Sequence, residues 1–133
     1  MPKQVAASTA NYTIEIDDEI DAIIHTWEQF VTGEEFRDGA NDLLEVIRDA
    51  NKSKMIVDTS GIKAHDEADK EWLQEEWIPK TIDAGIEYSV SYPGESVISE
   101  MEMEEFVDQT ADLPYTYVLA GSMDEAREWI AEQ

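Results

Sequence analysis

The stretch Asp58-Thr59-Ser60-Gly61 places a carboxylate, two hydroxyls and a glycine directly after the apolar run Met55-Ile56-Val57. A carboxylate and hydroxyls at alternate positions hold magnesium in Asp-x-Ser-x-Ser loops, but Ile62 stands where the last hydroxyl would be. The Asp-Thr-Gly of aspartic proteases is interrupted here by Ser60. His65, close to Asp58 and Asp66, offers the pairing that general-base chemistry needs. The chain contains no cysteine, and no serine stands in a nucleophile elbow. The simpler reading of Asp58 to Gly61 is a strand-ending turn in which Asp58 and Ser60 bond nearby amides. His25, beside Trp27, reads as a surface histidine or a satisfied core one. The acids Asp66, Glu67, Asp69 and Glu71 lack the glycine and spacing of a calcium loop. They read as a solvated face that favours the start of a helix. No metal or other cofactor is expected.

The residues downstream carry a different kind of signal. Trp72, Leu73, Trp77, Ile78 and Ile82 spread most of the way round a helix instead of forming one stripe. Pro79 removes a backbone donor from the middle of the same helix. The spacing predicts a bend or break between Trp77 and Thr81. Two placements follow: one tryptophan packs on the sheet with the other at its rim, or a tryptophan lines an apolar cleft or a partner surface. The candidate binding residues are therefore Asp58, Thr59, Ser60, Gly61, His65, Trp72 and Trp77.

These residues need a scaffold, and the hydrophobic pattern describes one. Residues 1–11 are small and polar and read as a flexible tail ahead of a single domain over 12–133. Tyr12 to Asp17 alternates as a half-buried strand, and Ile20 to Glu28 pairs with it as a hairpin. Thr32-Gly33-Glu34-Glu35 has the form of a capping box and opens a helix to about Ala50, with Phe36, Ala40, Leu43, Leu44 and Ile47 inside. Met55 to Val57 forms the central strand, and a helix runs from about Glu67 to Ala84, with Gly85 at its stop. Ile86 to Tyr92 alternates as a strand with Ile86, Tyr88, Val90 and Tyr92 on one side. A helical stretch from Val97 to about Thr110 follows, then a strand from Tyr115 to Ala120. Ser122 caps a final helix. The order β-β-α-β-α-β-α-β-α predicts an α/β fold with a mixed, mostly parallel five-stranded sheet and about four helices.

Length and composition bound the function. The chain has 133 residues, and 42% of them are hydrophobic, enough for a real core. No apolar run is long enough to span a membrane, and the first residues do not read as a signal peptide. A cytoplasmic, non-membrane protein is expected, as a monomer or homodimer. Thirty-two acids face nine basic residues, for a net charge of −23, and the acids are spread along the whole chain. Such an even acidic coat is similar to that of halophilic proteins. It argues against nucleic-acid partners, whose phosphates need lysine and arginine.

The order of elements and several phrases together resemble the SpoIIAA-like (STAS/SEC14) branch of the STAS fold. The phrases are Phe30-Val31-Thr32-Gly33-Glu34-Glu35-Phe36, the strand-ending Asp58, Glu71-Trp72-Leu73-Gln74-Glu75-Glu76-Trp77-Ile78-Pro79, Ala84-Gly85, Glu104-Glu105-Phe106-Val107-Asp108, and Asp124-Glu125-Ala126 with Trp129. The resemblance implies a non-enzymatic binding or regulatory domain that engages a protein partner or a small apolar ligand. In STAS antagonists the loop after the central strand carries a phosphorylatable serine motif. Here Asp66-Glu67-Ala68-Asp69 occupies that place, so a kinase partner is not implied. The competing expectation is a small hydrolase using His65 with nearby carboxylates.

Overall fold

The computed structural model describes residues 3–61, 66–94, 101–102, 104–105, 107–108 and 113–133. Six strands form one sheet in sequential order: β1 (Lys3–Ser8), β2 (Tyr12–Asp17), β3 (Ala22–Trp27), β4 (Lys54–Asp58), β5 (Tyr88–Tyr92) and β6 (Thr116–Leu119). The first two pairings are antiparallel, and β3 to β6 run parallel. The sheet is thus mixed, with one strand more than the pattern predicts. The extra strand lies within residues 1–11, the stretch expected to be a tail. Its sequence, Lys-Gln-Val-Ala-Ala-Ser, has too little apolar alternation to announce itself. It joins through the backbone ladder with β2, with an irregularity between Val5 and Ala7, and Val5 itself stays largely exposed.

Three helices have complete bounds among the described residues. The first, α1, spans Glu34–Ala50 and ends on Asn51 in the left-handed conformation. The second, α2, is composite: α-helical over Glu67–Trp72, π-helical over Leu73–Trp77, and α-helical again over Ile78–Asp83. The third, α3, spans Met123–Ala131 and is capped by Ser122, whose hydroxyl accepts from the Glu125 amide at 3.1 Å. Met101, Glu102, Glu104, Glu105, Val107 and Asp108 are also helical, within the stretch expected to form a helix.

Two local expectations change. Thr32 does not cap α1, because the residue before Glu34 is Gly33 at φ 65°, with no side-chain cap of its own. The Gly33 amide instead donates to the buried Asp69 carboxylate at 2.8 Å. Asp69 also sits 3.4 Å from the Arg37 guanidinium, so the start of α2 is tied to the start of α1. The break in α2 lies upstream of Pro79 rather than around it. A proline deprives the carbonyl one turn earlier of its partner and crowds that turn with its ring. Here the wider π turn accommodates this, with the Ile78 amide reaching back to the Leu73 carbonyl.

Strand alternation sends neighbouring residues to opposite faces of the sheet. One face meets α1 and α2 through Tyr12, Ile14, Ile23, Trp27 and Met55. The other meets α3 through Ala22, Ile24, Ile56 and Val90, which pack with Ala126 and Ile130. An ion pair between the buried Asp17 and the half-exposed Arg127, at 2.7 Å, anchors α3 to the end of β2.

Candidate functional site

The face beneath α1 and α2 is built in ranks. Ile23, Met55 and Ser89 lie side by side across β3, β4 and β5, and His25, Val57 and Ser91 form the next rank. Tyr117 follows from β6, beside Ser89. Above them α1 contributes Phe36, Ala40 and Leu43, and α2 contributes Leu73, Trp77 and Ile78. Between the layers lies a cavity of about 60 Å³. That is room for roughly four water-sized groups, since one needs ~10–15 Å³ by this measure.

The roof is fixed by a hydrogen bond: the Trp77 indole N–H donates to the Ala40 carbonyl at 2.8 Å, in a buried setting. At one wall Trp27 stacks on Phe36 at 5.1 Å and meets His25 edge to face at 4.5 Å. Gly39 is what lets α1 come down on this wall. A Cβ there would lie 2.5 Å from the Trp27 ring.

The lining is aromatic and aliphatic except for a few polar atoms. Ser91 and Tyr117 satisfy each other through hydroxyls 2.7 Å apart, and burial pushes the Tyr117 phenol up to about 12. His25 and Ser89 differ. Both are fully buried, and among the described residues neither ring nitrogen of His25 nor the Ser89 hydroxyl has a hydrogen-bond partner. Burial away from water pushes the His25 pKa down to about 3. The imidazole is therefore neutral at ordinary pH and offers one donor and one acceptor. Leaving such groups unpaired costs about 1–3 kcal/mol each.

The candidate residues take different places around this cavity. Trp77 and Thr59 line it, and the Thr59 amide and hydroxyl both donate to the Tyr92 carbonyl. Asp58 and Ser60 form a turn in which the Asp58 carboxylate accepts from the Ser60 amide at 2.9 Å and from its hydroxyl at 2.6 Å. Gly61 packs so tightly on the end of β3 that a Cβ would lie 2.1 Å from the Trp27 carbonyl. Trp72 is half-buried beside α1, with the Arg37 guanidinium 5.5 Å from its ring centre. His65 lies outside the described residues, and so do the contacts a hydrolase centred on it would need.

His25 is neither at the surface nor satisfied, contrary to expectation. Ser89 and Ser91 are not among the candidates, because alternation along β5 marks only the side that carries Ile86, Tyr88, Val90 and Tyr92. That strand is covered on both sides, so its hydroxyls face the cavity instead of solvent.

Catalysis by these groups would need a base, an orienting partner and a stabilised oxyanion in reach of one another. Among the described residues, no carboxylate, lysine or arginine lines the cavity, and none bonds His25. Among the described residues, no cluster of three or more histidines and acids could hold a metal ion. None of the described helices is long and apolar enough to cross a membrane. Compared with known proteins, the chain matches no family model, no curated protein and no solved structure.

Proposed function

We propose that this chain is a non-enzymatic binding or regulatory domain that takes a small, mostly apolar ligand between its sheet and helices α1 and α2. The observation that carries the reading is the cavity itself, lined by Trp27, Phe36, Leu43, Met55, Leu73 and Trp77, with orphaned polar atoms at His25 and Ser89. Ligand sites are typically apolar hollows with a few polar groups that fix orientation. The same cavity favours a small ligand over a protein partner. Three opening antiparallel strands followed by parallel ones, with helices on both faces, support membership of the SpoIIAA-like branch of the STAS fold. The acids at Asp66, Glu67 and Asp69 support a role without serine phosphorylation.

The test is a titration of the chain with small cyclic hydrocarbons and alcohols, followed by amide chemical shifts. Saturable shifts at Val57, Leu73 and Ser89 are expected. Ala40→Leu, which fills the cavity from α1, should abolish them. Shifts that never saturate, or that persist unchanged in Ala40→Leu, would overturn the reading.

A further inference from the structure

The cavity's polar atoms do more than decorate its lining, because they are unevenly satisfied. Ser91 and Tyr117 already bond each other. The Trp77 indole already bonds Ala40. What remains is His25, with two unpartnered nitrogens, and Ser89, with an unpartnered hydroxyl, both nine-tenths or more buried and both on the cavity wall. They lie on strands separated by β4, which puts Met55 and Val57 between them. Strands are spaced ~4.8 Å apart and His25 lies one rank, two residues or ~6.7 Å, beyond Ser89, so their backbone positions stand roughly 12 Å apart across an apolar strip.

From this arrangement, which rests on the binding reading above, we infer that the ligand is an uncharged compound with an apolar body and a hydroxyl or carbonyl group that bonds His25 or Ser89. The charge of the ligand follows from what the lining lacks. Among the described residues, no side chain there carries a charge that could pair with an ammonium or a carboxylate. An unpaired charge in such a place is far more costly than an unpaired dipole. The surrounding field sharpens the point. With a net charge of −23, the protein attracts cations to its surface. A cationic ligand that still fails to enter would therefore be excluded by the cavity and not by the coat. The polar handle follows from the opposite argument. Each orphaned group gains a partner only from a ligand that can donate or accept, and a plain hydrocarbon leaves both unsatisfied.

The experiment uses five molecules built on one ring: cyclopentane, cyclopentanol, cyclopentanone, cyclopentylammonium and cyclopentanecarboxylate. Each is titrated into the full chain at pH 7 in molar KCl, with amide shifts as the readout. Cyclopentanol and cyclopentanone are expected to bind about tenfold tighter than cyclopentane, a typical gain from one buried hydrogen bond. The two charged molecules are expected to give no saturable shift. Ser89→Ala and His25→Phe are then titrated with cyclopentane and cyclopentanol. At least one of them should bring the two affinities together. Ser89→Ala removes a single oxygen and keeps the test sound if His25→Phe does not fold.

If none of the five molecules binds, the binding reading and this inference fail together. If cyclopentane binds as tightly as cyclopentanol, the cavity takes ligands but water or nothing meets the polar atoms, and only this inference fails. Saturable binding of either charged molecule overturns it too, as does a preference for the alcohol that survives both substitutions.

Discussion

The two faces of one sheet have opposite characters, although the same strands supply both. Beneath α3, Ala22, Ile24, Ile56, Val90, Ala126 and Ile130 close into an aliphatic layer. Beneath α1 and α2, the alternate residues of those strands include His25, Ser89 and Ser91, and the packing leaves a hollow. The contrast reaches down to adjacent positions: Met55 lines the cavity, and Ile56 fills the closed side. Side chains of aliphatic shape pack to near-crystalline density. Large rings and a π turn do so less completely. One face thus supplies stability, and the other gives some of it up to leave a hollow.

The largest expected effect acts on both faces at once and sets the conditions for every finer test. The acidic coat opposes the compact state by self-repulsion, and salt screens it: the Debye length falls from ~30 Å at ~0.01 M to ~3 Å at ~1 M. Thermal melts followed by circular dichroism across a KCl series should show a midpoint that climbs steeply. A flat series would show that the coat is not a salt adaptation. Next in size is the comparison of neighbours. Ile56→Ala should cost about 2–5 kcal/mol in chemical denaturation, whereas Met55→Ala, which only enlarges an existing hollow, should fall at or below the low end of that range. Equal losses would mean that the two faces are packed alike.

A smaller effect isolates His25. Its pKa is near 3 in the folded chain and near 6.5 when exposed. The unfolded chain therefore binds the extra proton first as pH falls. The stability that this term protects is complete above pH ~6.5 and is lost progressively toward pH ~3, by about 2 kcal/mol at pH ~5. Measured between pH 7 and 5, His25→Phe should show a shallower loss than the parent chain. Protonation of the acids is common to both proteins and cancels in the difference. Parallel pH profiles would show that His25 is not held in a dry site. The smallest effect is Ser89→Ala, which removes a buried hydroxyl without a partner. It should leave stability unchanged or raise it by about 1 kcal/mol or less. A clear loss would reveal a partner for that hydroxyl and would weaken the contrast between the faces.

Much of the scaffold was legible because it follows from periodicity. The hairpin, the central strand, α1 and the final helix are each announced by alternation, helical spacing or a capping serine. What escaped depends on distant parts of the chain. β1 has no apolar face to advertise it and is recruited by the open edge of β2. The start of α1 is settled by Asp69, which lies thirty-six residues away from Gly33 in the chain. The site was half legible: Trp77 and Thr59 were named among the candidates, and both line the cavity. Ser89 and Ser91 were hidden because polar residues at alternate strand positions ordinarily mean solvent, and only the helices above them reveal otherwise. His25 was visible, but nothing near it in sequence tells that its nitrogens lack partners.

The π turn in α2 also holds one residue more than an α-helical turn would. The Ile78 amide reaches the Leu73 carbonyl five residues back, so Ile78 stands where the fourth residue of a uniform helix would stand. Leu73 and Trp77 both reach the cavity from within this widened turn. Deleting one of the exposed residues there, Glu75 or Glu76, would restore uniform winding while the segment from Ile78 onward kept its orientation. The length of the cavity's roof can thus change by one residue while the rest of the helix and the sheet beneath it stay as they are.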